Sequence, residues 1–264
     1  MAQRSPLISV MAQAADKAAR TLIRDFNEVE NLQVSRKGTN DFVTAADLKA
    51  EQTLKEELAK ARPGFGFLLE ESGAVKAKDG RSRWIVDPLD GTLNFMHSLP
   101  QFAISIGVEQ DGELVAGIVF DPIKDELFWA EKGRGAYLNH RRLRVSARDR
   151  LAAGLIAHGR AADDTPEASK RFLTQMNNVI AHTRDLRRMG AAALDLAYVA
   201  AGRFDGYWEE GLSAWDMAAG IVLVREAGGY VTAVDGSPVD LERGSILAGN
   251  AHVHGQLHKA LAGR

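Results

Sequence analysis

The apolar positions change period several times along the chain, and each change predicts an element. Residues 5–30 alternate small, apolar and charged positions with a helical period. TAADLKAEQTLKEELAKA at 44–61 predicts a clearer helix: Asp47 lies near its start, Leu48, Leu54 and Leu58 form an apolar stripe, and Pro63-Gly64 end it. FGFLLEES at 65–72 reads as a short strand ending in two acids, and RWIVDP at 83–88 as another. Residues 102–145 are strand and turn throughout, broken at Asp111-Gly112, Asp121-Pro122 and 133–135, as in a meander of antiparallel hairpins. The second half alternates. LIAHG is strand-like, SKRFLTQMNNVI helical, and AAALDLAYVAAG (191–202) a helix closed by Gly202. FDGYWEEG is a strand, and 213–229 a helix closed by Gly228-Gly229. YVTAVDG and SILAGN are strands, and a last helix runs from about 251 to 262. Helices and strands mix around one long antiparallel section, which predicts a layered α+β or α/β fold rather than a purely doubly wound parallel sheet.

Composition narrows this only a little. The 264 residues suit one large domain or two closely joined halves, about 1–150 and 151–264. A formal net charge of −2 favours neither nucleic acid nor a membrane surface as a partner. Cysteine is absent, which excludes disulfides and thiolate metal sites and fits a cytoplasmic protein. The N-terminal stretch lacks the apolar core of a secretory signal and reads as the lead into a helix, and no apolar run is long enough to span a membrane.

The candidate chemistry lies in acids at element ends: Glu70 and Glu71 after FGFLL, Asp87 and Asp90 after WIV, and Asp216 at a helix start. Clustered carboxylates repel and take up protons unless a cation neutralises them. A hard divalent cation such as Mg²⁺ prefers oxygen ligands and accepts a few carboxylates plus phosphate oxygens. In DPLDGT, Pro88 stiffens the chain between the acids, Leu89 offers a backbone carbonyl, Gly91 lets a phosphate approach the backbone, and Thr92 brings a hydroxyl that could orient a water. A helix beginning near Gly91 would turn free N–H groups toward an anion. Each segment also has a plainer reading: a capped turn, a solvated strand end, a helix N-cap. Spacing alone does not bring them together.

LEES at 69–72, WIVDPLDGTLNF at 84–95 and AWDMAAGIVLVREAGG at 214–229 resemble the three signature segments of the inositol monophosphatase family, the Mg²⁺-dependent, lithium-sensitive phosphomonoesterases. KGTNDFVTAAD at 37–47, ELFWAEKGRGAYLN and LRRMGAAALDLAYVAAGRFDGYWEEG at 186–211 resemble its bacterial branch. The resemblance implies a layered αβαβα sandwich, a homodimer, and two or three Mg²⁺ ions per site. It further implies metal ligation by Glu70, Asp87, the Leu89 carbonyl, Asp90 and Asp216, with Asp87 bridging and Glu71 one step behind. Asp47 and Thr92, with Glu70, would serve the attacking water. Gly91 and Thr92 would meet the phosphate, and Arg187, Gly190, Ala191, Ala192 and Glu209 would line the pocket around the substrate hydroxyls. The chain departs from the family pattern at Arg36-Lys37, in the 155–164 loop, at Ala191, and at Glu210 beside Glu209.

The implied reaction is hydrolysis of a phosphate monoester, foremost inositol 1-phosphate. Histidinol phosphate, fructose 1,6-bisphosphate and a 3′-phosphorylated nucleotide are alternative substrates of the same chemistry. A different class of function is a transcription-antitermination partner that contacts RNA polymerase or RNA, as some bacterial members do. HRRLRVSARDR at 140–150 carries five arginines in eleven residues, dense enough for RNA, yet LRV alternates as a strand and edge arginines guard against strand pairing. His252, His254 and His258 read as a solvated helix face, Asp163-Asp164 as loop solvation, and Trp84, Trp129, Trp208 and Trp215 as core or pocket wall.

Overall fold

The computed structural model describes residues 3–28, 34–36, 42–160 and 165–263. The KGTND segment and Asp163 and Asp164 lie outside them. Helix α1 (Pro6–Phe26) is capped by Ser5 and is followed by a small ribbon of β1 (Val34–Arg36) and β2 (Phe42–Thr44) and by α2 (Ala45–Ala61). Next come β3 (Gly66–Leu69), β4 (Gly73–Val75), β5 (Ser82–Asp90) and the short α3 (Thr92–Met96). The expected meander follows as β6 (Ala103–Gln110), β7 (Glu113–Asp121), β8 (Glu126–Glu131), β9 (Gly135–Leu138) and β10 (Arg141–Arg142). The second half holds β11 (Leu155–His158), α4 (Pro166–Ile180), β12 (Asp185–Arg187), α5 (Ala192–Ala200), β13 (Gly206–Glu210), α6 (Ala214–Glu226), β14 (Tyr230–Thr232), β15 (Ser245–Gly249) and α7 (Ala251–Leu261).

Two sheets organise these elements: an eight-stranded one in the order β10-β9-β8-β7-β6-β5-β3-β4, and a five-stranded one in the order β12-β11-β13-β15-β14. Alternation along β6 sets the layering. Ile104, Ile106 and Val108 join α1 and α2 in one core, while Ala103 faces the opposite core with α5 and α6. That second core also takes Tyr207, Ile246 and Ala248 from the smaller sheet, so α5 and α6 lie between the sheets. The far face of the smaller sheet packs Ile156, Trp208 and Leu247 on Val179 of α4 and Val253 and Leu257 of α7. The result is the layered αβαβα sandwich, an α+β fold. Glycines let α6 come close: a Cβ on Gly117 would stand 2.6 Å from the Ala219 Cα, and one on Gly107 would stand 2.8 Å from the Ala218 Cβ.

Several sequence expectations change in detail. Leu48 is 54% exposed, and the buried stripe of α2 runs instead through Asp47, Ala50, Glu51, Leu54 and Leu58. At 100° per residue Leu48 falls off the face that Leu54 and Leu58 share. The 65–72 strand stops at Leu69, because Glu70 and Glu71 turn out of the sheet. Arg141 and Arg142 form the outermost strand of the larger sheet, where arginines discourage edge pairing. Trp84, Trp129 and Trp208 are core residues. The His254 ring nitrogen Nε2 lies 3.0 Å from the Thr232 hydroxyl, so this face of α7 is partly packed on β14.

Candidate active site

β3 runs parallel to β5 with Leu69 opposite Val86, and the Glu70 amide donates to the Val86 carbonyl at 3.2 Å. That register sets Glu70 beside Asp87. In a regular strand Asp87 and Asp90, three residues apart, would point to opposite faces. The ladder with β6 is irregular between them, at Pro88 and Leu89. Proline has no N–H to give to a ladder, and the break lets both carboxylates turn to one side. Asp216 enters from α6, where it sits at the third helical position and accepts from the Ser213 amide at 2.7 Å. The carboxylates of Asp87, Asp90 and Asp216 lie within 4.8 Å of one another, the one such group of potential metal ligands among the described residues.

Electrostatics follows from the packing. Burial pushes the Asp87 carboxyl well above the ordinary carboxylate range, reinforced by Glu70, Asp90 and Asp216. Burial raises Asp90 likewise, and Asp216 adds to it, while the Ala193 amide opposes the shift. The carboxylates of Asp87, Asp90 and Asp216, with Glu70 acting on Asp87, suit a hard divalent cation, which would offset their mutual repulsion. Asp87 is pinned by the Leu89 amide at 2.9 Å, and Asp90 accepts from the amides of Ala192 and Ala193 at 3.2 and 2.8 Å.

Beside the cluster, Thr44 and Asp47 form a capping box at the start of α2: Asp47 Oδ2 accepts from the Thr44 amide at 2.9 Å and from its hydroxyl at 2.5 Å. Asp47 Oδ1 is 3.1 Å from Thr92 Oγ1, which is also 3.1 Å from the Leu89 carbonyl. Burial raises the Asp47 carboxyl above its usual value despite those hydrogen bonds. Gly91 has φ = +96°, and a Cβ there would lie 2.9 Å from the Gln101 carbonyl oxygen. Protein backbone therefore faces its bare Cα, and the glycine is demanded by the turn into α3 rather than by the approach of a phosphate.

On β13, Glu209 is buried with Tyr207 Oη donating to its Oε2 at 2.5 Å, and burial pushes its carboxyl up to about 7. Glu210, the next residue on β13, points the opposite way and pairs with Arg171 at 3.1 Å and Gln175 at 2.9 Å on α4. It fastens the outer helix layer and is turned away from Glu209. Arg187 is exposed and paired with Asp185 at 2.6 Å, whereas Arg188 is the arginine whose charge acts on Glu209. Gly190 (φ = +81°) leads through Ala191 into α5, and Asn94 Nδ2 ties this turn to α3 by donating to the Met189 carbonyl at 2.9 Å. The Ala192 amide is engaged by Asp90.

Two acids escape a reading by motif. Glu51 accepts from the amides of Glu71 (2.8 Å) and Ser72 (3.0 Å) and from the Ser72 hydroxyl (2.5 Å), bracing the turn that carries Glu70. Its signal was its place on the Asp47 face of α2. Asp195, in the first turn of α5, is buried, and burial, Glu209 and Asp90 push its carboxyl well above the usual range. Nothing in its spacing marked it.

Two sheets in five layers thus bring acids from strand ends and a helix start together at one place, an arrangement that could hold a metal ion. The model of the inositol monophosphatase family matches residues 3–264. The inositol-1-monophosphatase of Mesorhizobium japonicum is 53% identical over 98% of this chain and 97% of its own. The Nus factor SuhB of Pseudomonas aeruginosa is 44% identical over 93% and 92% of the two chains. The crystal structure of extragenic suppressor protein suhB from Bartonella henselae superposes with a TM-score of 0.94 at 53% identity, covering 97% of this chain and 98% of that one. The chain belongs to the inositol monophosphatase family, and it is a phosphatase.

Proposed function

We propose that this enzyme hydrolyses inositol 1-phosphate to inositol and phosphate in a Mg²⁺-dependent reaction. The convergence of Asp87, Asp90 and Asp216 within 4.8 Å carries this reading, and the relatives named inositol-1-monophosphatase favour the substrate. Glu70, Asp87, the Leu89 carbonyl, Asp90 and Asp216 hold the metal in this reading, as two or three ions. Bound Mg²⁺ supplies positive charge that makes a water nucleophilic at neutral pH and offsets charge on the leaving oxygen. Thr92 Oγ1 donates its hydrogen to Asp47, which leaves its lone pairs to receive a proton from the attacking water. The raised Asp47 carboxyl suits it to take that proton onward. The amides of Gly91 and Thr92 orient the phosphate, and Glu209 with the Gly190–Ala192 turn and the 187–188 arginines faces the hydroxyls. The whole chain acts as one domain, since the central core draws on both of its halves. Inhibition by lithium, a homodimer and a cytoplasmic setting belong to the same reading, the last supported by the cysteine-free sequence.

Phosphate release from inositol 1-phosphate, histidinol phosphate, fructose 1,6-bisphosphate and adenosine 3′,5′-bisphosphate at fixed Mg²⁺ tests it. Preference for inositol 1-phosphate supports the proposal; preference for another substrate overturns the substrate and keeps the chemistry. The relatives named Nus factor SuhB favour a second reading, a partner of the transcription machinery. Retention of RNA polymerase on the immobilised protein would support it, and absence of retention would oppose it.

A further inference from the structure

Gly159 follows β11, which runs parallel to β13 with His158 opposite Trp208, and its amide donates to the Trp208 carbonyl at 3.2 Å. That register stands Gly159 beside Glu209. Its backbone is outside the left-handed region, so the local conformation would accept any L-residue. The space would not. A Cβ built on Gly159 would fall 1.6 Å from Glu209 Oε2 and 2.0 Å from the carboxyl carbon. The Glu209 carboxylate therefore rests directly over the bare Cα of Gly159, while Tyr207 Oη holds it from its own strand.

We propose that Gly159 is a specificity-determining positioning residue, which acts by leaving the room that the Glu209 carboxylate fills while Tyr207 holds it toward the substrate hydroxyls. The inference rests on the reading that Glu209 meets those hydroxyls. A side chain at 159 must displace the carboxylate oxygen that Tyr207 also holds. The cost should fall on recognition of a polyol phosphate and not on hydrolysis of a monoester without ring hydroxyls.

The test is a double-mutant cycle of Gly159→Ala and Glu209→Ala, assayed with inositol 1-phosphate and with phenyl phosphate. Gly159→Ala should raise KM for inositol 1-phosphate roughly ten- to hundredfold, the loss expected for a charged hydrogen bond. Its kinetics on phenyl phosphate should stay within about twofold. Glu209→Ala should raise KM for inositol 1-phosphate similarly, and adding Gly159→Ala to it should change nothing further. Equal losses on both substrates, or additive effects in the double variant, would overturn the inference. A harmless Gly159→Ala beside a damaging Glu209→Ala would overturn it while leaving Glu209 as a substrate contact; a harmless Glu209→Ala would overturn both. If Gly159→Ala melts too low to assay, recovery of the melt in the double variant supports the clash with Glu209, and no recovery refutes it.

Discussion

The Ala193 amide donates to Asp90 Oδ2 at 2.8 Å across a sequence separation of 103 residues. The bond joins the end of β5 to the first turn of α5, so the two halves of the chain meet on one carboxylate. The free amides of a helix start favour negative charge, and here they oppose, without cancelling, the upward shift that burial and Asp216 impose on the acid.

Asp90→Asn keeps an oxygen for one of those amides and nearly the same shape. We expect it to fold, to lose the charge needed in the cluster, and to drop in kcat/KM by more than about 10²-fold, beyond the usual cost of an outer partner of a metal ligand. Circular dichroism together with phosphate release checks this. Normal turnover in a folded Asp90→Asn protein would refute the metal assignment.

The raised carboxyls of Asp87 and Asp90 have a definite sign in stability. A carboxyl whose folded pKa exceeds its unfolded value contributes stability at low pH that is lost as pH rises through the folded value. The metal-free protein should therefore lose this contribution with rising pH, and Mg²⁺, which competes with those protons, should stabilise more at pH 8 than at pH 5.5. At a hundredfold excess over Kd the gain is about 2.7 kcal/mol, or roughly 5–10 °C. Melting curves with and without Mg²⁺ across that range decide it, and a shift independent of pH would count against proton competition.

Glu51 braces the Glu70 turn through three hydrogen bonds. Glu51→Ala leaves two amides and a hydroxyl without it and should cost about 2–4 kcal/mol in urea denaturation. The Mg²⁺ concentration for half-maximal activity should rise as well, because Glu70 loses its support. An unchanged Mg²⁺ requirement would confine Glu51 to stability.

His158 lies against Trp208 with ring centroids 5.1 Å apart, and burial, aided by Arg188, pushes its imidazole down to about 4 from 6.5. Its contribution is present above pH 6.5 and is lost as pH falls through that window toward 4. This is opposite in sign to the raised acids. His158→Phe keeps an aromatic ring and should flatten the acid-side decline of stability between those values. An unaltered slope would show that the imidazole does not titrate there.

Particular elements show how much was legible beforehand. The meander of β6 to β10 was marked by its Gly and Pro breaks, and α5 and α6 by their glycine stops, because turn chemistry is local. Leu48 misled because a leucine-based stripe ignores acids, and the buried face of α2 runs through Asp47 and Glu51. Arg188, Asp195 and Gly159 gave no signal, since each matters through a neighbour on another strand or helix.

The sequence by itself determined the family, through the resemblance of its motif segments, and it also determined the mixed layering and which acids end apolar segments, since these two follow from side-chain period and local turn preference. Only the tertiary structure decided that Asp87, Asp90 and Asp216 converge, that Glu209 is held by Tyr207 while Glu210 turns to α4, and that Arg187 pairs with Asp185. Those facts depend on the break at Pro88 and on the register between strands far apart in the chain. One residue of shift in either would send each side chain to the opposite face.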